Sequence, residues 1–294
     1  MPSINSLSRR ALYGLAESSR FQGLVRRNET IERRAYRHAQ HYLGGRALDQ
    51  ALASLERLHA EGFDIGIDYF GEAHTSAAAV GAATDQYLQL NRELAELGFA
   101  VNVWVDLTNV GLDISEDLCR RQIQRIAGSL PSDSRLQVRA HDSTRIDRIL
   151  SLVIELADEG APVMPTLQAN LRRSPEYAER LIEAGLPVLL VKGAFLEPAD
   201  LAHTWGEETD SAFLRLAHQL HTGGAELAIG THDPVIREAL LAEYPGLGVE
   251  MLLGIRTRDA RELLSRGQQV RLYVPYGEDW LRYWLRRLGE GRGA

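Results

Sequence analysis

From residue 63 onward the chain keeps one rhythm, a short run of β-forming residues followed by a helical pattern, repeated to residue 274. The strand runs are 63–70, 100–106, 136–141, 162–168, 187–192, 226–230, 248–253 and 269–274. Helical spacing of apolar residues fills the gaps at 86–97, 117–127, 146–157, 178–184, 212–221, 235–242 and 258–264. Strands that alternate with helices join as parallel βαβ units. Eight is the number that closes a (β/α)8 barrel, and the 294 residues suit one such domain. An open doubly wound sheet is the alternative. It usually has fewer strands, and Gly71-Glu72 after the first run is no dinucleotide-binding glycine turn.

Residues 1–62 read as a helical extension, with a helix over 47–59 closed by Gly62, and residues 63–294 as the barrel. Arg26, Arg27, Arg33 and Arg34 within the extension read as a solvated face. The net charge of −7 and the lack of a basic block argue against nucleic acid as a partner. The single cysteine, Cys119, excludes an internal disulfide and reads as a packed small hydrophobe. No apolar run approaches 18 residues, and no apolar stretch follows Arg9-Arg10. A soluble, cytoplasmic protein without a membrane span is expected.

In such a barrel, chemistry gathers where the strands end. The polar residues there are Glu72, Asp106, Arg139 with His141, Gln168, Lys192, Thr231-His232-Asp233, Glu250 and Tyr273. Taken together they favour a ligand site at one cavity mouth; taken singly, each serves equally well as half of a structural ion pair. No metal constellation emerges. The nine histidines include no HExxH, and His218 with His221 has no third ligand nearby in the sequence. There is no GxSxG elbow either.

The last segment, 272–290, reads as a strand, a turn at Pro275 and Gly277, and a helix capped by Asp279. On that helix Tyr283, Arg286, Arg287 and Glu290 share one face, while Leu281, Leu285 and Leu288 share another that suits burial. Two planar guanidinium forks beside a tyrosine and a carboxylate suit the grip of a ligand carboxylate. An arginine-rich, solvated last turn satisfies the same spacing.

This segment resembles the C-terminal signature of the proline dehydrogenase family, a strand ending in tyrosine and a helix with a tyrosine and a double arginine. Three upstream blocks are similar to that family's strand exits: Leu167-Gln-Ala-Asn-Leu-Arg-Arg-Ser174, Leu190-Val-Lys-Gly-Ala-Phe-Leu-Glu-Pro198 and Thr231-His-Asp233. The resemblance implies a distorted (β/α)8 barrel that holds FAD at the strand ends and passes a hydride from proline to flavin N5. It implies that Arg286 and Arg287 bind the substrate carboxylate, that Tyr273 and Tyr283 shape the pocket, and that Glu290 and Glu72 support the arginines. Gln168 would bond the flavin ring. Lys192, Gly193 and Ala194 would line its ribityl and pyrophosphate side, and Thr231 and His232 its far end.

Several positions depart from the family pattern. Asp106 stands where a lysine is expected, Arg139 where an aspartate is, and His141 where a glutamate is. Leu189 replaces an arginine, Asn170 and Phe195 replace tyrosines, Glu250 replaces a glutamine among the cofactor-side residues, and Leu253 replaces a tyrosine. Asp106 and Arg139 at neighbouring strand exits are expected to form an ion pair, or Asp106 to meet a substrate amine. The expectation is therefore flavin-dependent oxidation of an amino or imino acid resembling proline, with an altered substrate or step. The electrons would pass to an acceptor such as a quinone or oxygen. A flavin-less binding barrel is the alternative, and an aldolase using Lys192 as a Schiff-base amine is a third reading.

Overall fold

Branched and leucine side chains at alternating positions give eight strands: β1 (Asp64–Tyr69), β2 (Val101–Val105), β3 (Leu136–Val138), β4 (Val163–Gln168), β5 (Val188–Val191), β6 (Leu227–Gly230), β7 (Gly248–Leu252) and β8 (Val270–Tyr276). The computed structural model describes residues 12, 14–16, 18–71, 74–195 and 197–290, with only the backbone of Ser19, Gly289 and Glu290. Within it the strands pair in parallel, in chain order, and β8 closes on β1. The helices between strands are α4 (Ala77–Ala95), α5 (Glu116–Ala127), α6 (Ile146–Asp158), α7 (Ser174–Glu183), α8 (Glu207–Thr222), α9 (Pro234–Glu243) and α10 (Thr257–Ser265). Ahead of β1 lie α1 (Ser19–Arg27), α2 (Glu29–Ala39) and α3 (Leu48–Ala60), and α11 (Trp280–Glu290) follows β8. This is a TIM-like (β/α)8 barrel.

The period-2 alternation of side chains sorts each strand into two faces. Ile65, Ile67, Val103, Val105, Leu190, Ile229, Met251 and Val274 face the helices and form one buried cluster with them. Each such side chain contributes roughly 1.5–3 kcal/mol by leaving water. The opposite parity fills the lumen. It is polar for a barrel interior: Asp68, Asn102, Gln137, Thr166 and Glu250 are all buried there beside Trp104, Met164, Leu189 and Tyr273.

Local signals set the element ends. Ser76 and Ser115 cap α4 and α5 by accepting from the backbone N–H three residues on, at 3.3 and 3.4 Å. The returns from α6 and α7 turn on Gly160 (φ 90°) and Gly185 (φ 64°), where a side chain is disfavoured. Helices α7 and α8 begin four and five residues ahead of their expected starts, and two further elements differ from expectation. Helix α4 begins at Ala77, nine residues before the amphipathic pattern, because its first turns are alanine-rich and the Ser76 cap rather than periodicity starts it. Strand β3 stops at Val138, so Arg139 and His141 lie on the loop beyond it.

The extension grips the end of β8. Gly44 N–H donates to Pro275 O at 2.8 Å and Gly277 N–H to Gly45 O at 3.2 Å. Helix α3 buries Ala51, Leu55 and Leu58 in the outer core of the barrel. Arg26, exposed as expected of a solvated face, pairs with Asp279 at 2.9 Å. Arg46 bonds Glu32 at 2.6 Å and Glu278 at 3.2 Å, with its guanidinium 5.1 Å from the Tyr36 ring and 5.6 Å from the Trp280 ring. Helix α11 is thus held from the N-terminal side as well as by the barrel.

Candidate active site

At the C-terminal ends of the strands a buried carboxylate organises the centre. Asp68, on β1, is 1% exposed. A charge so buried requires a partner. It has two: Arg139 Nη2 and the Tyr273 hydroxyl both donate to its Oδ2, and Arg139 Nη2 also meets the Tyr273 oxygen at 2.6 Å. Burial raises the Tyr273 hydroxyl above the ordinary phenol range, so it stays a donor, although Arg139 and then Arg287 pull the other way. Sequence reasoning missed Asp68. The signal was its parity: Asp64, Gly66 and Asp68 share the inward face of a strand whose Ile65 and Ile67 point outward.

The expected Asp106–Arg139 pair does not form. The two stand level across β2 and β3, since Val105 registers with Val138. Asp106 Oδ1 instead accepts from Thr108 N–H at 2.9 Å and Thr108 Oγ1–H at 2.6 Å, closing a turn after β2. The more deeply buried Asp68 takes the guanidinium, because an unpaired charge there would cost more.

Above Tyr273 lies α11. Trp280, Leu281, Tyr283 and Leu285 are buried, while Arg286, Arg287 and Leu288 are half-buried. Tyr283, expected on the ligand face with the arginines, packs edge-on to Phe70 at 5.3 Å and lies 6.2 Å from Tyr273. The Arg287 guanidinium sits 4.9 Å from the centre of the Tyr283 ring. Its charge works against the burial-raised pKa of Tyr273 and adds to the lowering at His232. Glu72 and the side chain of Glu290 lie outside the described residues.

On the β6–β7 side His232 Nε2 accepts the Leu252 N–H at 3.0 Å, so a neutral ring carries its proton on Nδ1. Burial, with the Arg287 charge next, pushes its pKa down to about 4. Thr231 is buried, and its Oγ1 accepts the Asp233 N–H at 3.2 Å. On the β4 side Gln168 Nε2 donates to His141 O at 2.8 Å and leaves Oε1 without a donor among the described residues. His141 contacts Asp142 at 2.6 Å and stacks on Phe195 at 5.0 Å. Thr166 Oγ1 and Asn170 Oδ1 are buried without partners among the described residues. Gly193 (φ 111°) abuts Asn170 so closely that a Cβ has no room, and Ala194 beside it is exposed.

Two expected site residues are placed differently. Lys192 is locked between Asp210 at 2.6 Å and Asp233 at 2.9 Å, tying α8 and α9 to the end of β5. Burial works against the Asp233 carboxylate, yet Lys192 and the α9 N–H groups hold its pKa below the usual range. A Schiff-base lysine must attack as the neutral amine. An ion-paired ammonium gives the aldolase reading no support. Glu250 is in the lumen rather than at the mouth. It registers with Arg271, one layer below the level where Leu252 registers with Tyr273. Gln137 Nε2 donates to it at 2.8 Å, and burial raises its carboxyl pKa.

Among the described residues no helix is long and apolar enough to cross a membrane. Comparison with known proteins gives a consistent picture. The proline dehydrogenase family profile matches residues 51–294. Proline dehydrogenase 1 of Bacillus subtilis is 29% identical over 260 residues, covering 86% of each chain. Proline dehydrogenase of Deinococcus radiodurans is 29% identical over 300 residues, covering 98% of this chain and 95% of its own. Among solved structures, proline utilization A from Bdellovibrio bacteriovorus, inactivated by N-propargylglycine, superposes with a TM-score of 0.82 at 18% identity, over 98% of this chain and 37% of its own. The enzyme of the same name from Corynebacterium freiburgense gives a TM-score of 0.74 at 21% identity, over 96% and 33%. This chain therefore spans about a third of those longer polypeptides. With the profile matched over most of its length, the chain belongs to the proline dehydrogenase family of FAD-dependent oxidoreductases.

Proposed function

We propose that this protein oxidises a carbon–nitrogen bond of proline or a proline-like amino or imino acid, with bound FAD as the first electron acceptor. A quinone or oxygen would take the electrons onward, in the cytoplasm. The observation that carries the reading is the half-buried Arg287, set over the ring of Tyr283, which itself lies 6.2 Å from Tyr273. A guanidinium in that setting orients a carboxylate, worth roughly 1.5–3 kcal/mol of binding. Arg286 shares the role by resemblance, with Glu290 and Glu72 in support. Phe70, Tyr273 and Tyr283 form an aromatic wall suited to a pyrrolidine ring and exclude water from it. Asp106 Oδ2, with no donor among the described residues, suits the substrate ammonium.

The β4–β6 exits fit a flavin ring, which brings both donors and acceptors. Thr166 and Asn170 offer orphaned oxygens, Gln168 an open Oε1, and Gly193 a bare backbone. Gln168, Gly193, Thr231 and His232 would hold the group, and its chemistry there is acceptance of a hydride at N5. The alternative flavin-less reading draws on Lys192, whose charge is already shared by two carboxylates near the side expected to meet phosphate.

Titration with FAD separates the two. Quenched flavin fluorescence and a raised Tm are expected, followed by anaerobic bleaching on addition of L-proline or a close analogue. Absence of both quenching and thermal stabilisation would leave the flavin-less barrel as the better account.

A further inference from the structure

The same mouth carries a second guanidinium. Arg139 uses only Nη2 to satisfy Asp68 and Tyr273. Its Nε and Nη1 make no hydrogen bond among the described residues, and its side chain is 24% exposed. The guanidinium lies 5.5 Å from the Phe70 ring centre and 5.7 Å from that of Tyr273. Both rings pack against Tyr283, over which Arg287 sits. The aromatic trio that suits the substrate ring is therefore flanked by two guanidiniums, one from the barrel and one from α11.

An imino acid without further substituents has one carboxylate. It satisfies one arginine and sets apolar ring carbons against the N–H donors of the other. A donor stripped of water and left unpaired costs more than its bond would have contributed. Sites built this way reject ligands that lack the acceptor, and discriminate more sharply than apolar pockets do. A role as counter-ion to Asp68 alone leaves Nε and Nη1 unexplained. Resting on Arg287 as the α-carboxylate anchor, we propose that Arg139 anchors a second carboxylate, so that the preferred ligand is a dicarboxylic amino or imino acid. Arg139 would meet that carboxylate through its open Nε and Nη1 while Nη2 stays on Asp68.

The test is equilibrium binding by calorimetry, independent of turnover. The probes are L-proline and the same ring bearing a second carboxylate. The wild-type protein should bind the dicarboxylate at least about 10-fold more tightly. Arg139→Met, made in an Asp68→Asn background so that no bare carboxylate is left buried, should remove that advantage. Arg287→Met should weaken both probes by about 10- to 100-fold. Equal or tighter binding of L-proline by the wild type overturns the inference, as does an advantage that survives in the double variant. The wild-type ratio decides alone if the variant fails to fold. A wild-type protein that shows no dicarboxylate advantage while Arg287→Met still weakens both probes refutes only the second anchor; an Arg287→Met protein that binds both probes normally removes the carboxylate reading beneath it.

Discussion

Asp68 and Arg139 differ in depth, and that difference predicts an order of mutational cost. Removing one partner of a buried ion pair costs about 3–5 kcal/mol when the survivor is left without water. The Asp68 side chain is 2% exposed and that of Arg139 is 24% exposed. Arg139→Met strands the carboxylate with only the Tyr273 hydroxyl, so a loss near the lower end, about 3 kcal/mol, is expected. Asp68→Asn leaves a guanidinium that can turn to solvent, and the expected loss is about 1 kcal/mol. The double variant carries no unpaired charge. It should lose less than the sum of the two by at least about 1 kcal/mol, the signature of coupling. Urea unfolding of the four proteins at neutral pH measures this, provided their m-values agree. Additive losses, or Asp68→Asn being the worse single change, would refute the assignment of Arg139 to Asp68.

Two further outcomes follow from the geometry. The pKa of His232 is pushed down to about 4 in the fold against 6.5 in the open chain. The unfolded state thus takes up a proton first, and stability is full above about pH 6.5 and falls as pH drops toward 4, by up to about 3 kcal/mol. His232→Gln should flatten that part of the pH–stability curve, and an unchanged curve counts against the neutral ring. Gly193→Ala forces a side chain onto a φ of 111° and against Asn170. A fall in Tm of about 3–8 °C is expected. A melting point equal to wild type would show that the loop relaxes freely.

Much of the barrel was legible because its signal is simple parity. Outward residues such as Ile65, Ile67 and Ile229 must be apolar to meet helices, so each strand announced itself within a residue or two, apart from the end of β3. The polar exits were legible for the same reason. Partner choice was not. Register puts Asp106 level with Arg139, yet the guanidinium reaches across to Asp68. That preference is set by depth of burial in three dimensions. Lys192 likewise meets Asp210 and Asp233 from two different helices, which no spacing along the chain encodes. Glu250 looked like an exit residue although its run, 248–253, sets it mid-strand, and the register keeps it in the lumen, level with Arg271 and a layer below Tyr273.

The grip of the N-terminal extension on α11 divides responsibility within the molecule. The family profile begins at residue 51, while Arg26, Tyr36 and Arg46, which fasten Asp279, Glu278 and Trp280, all precede it. The helix that carries Arg286 and Arg287 is therefore aimed by a part of the chain that precedes the residues matched by the family profile. Substitutions in that part can re-aim the arginines by a fraction of an ångström and leave every strand-exit residue untouched. Ligand preference can then drift through a region where comparison of mouth residues alone would see no change.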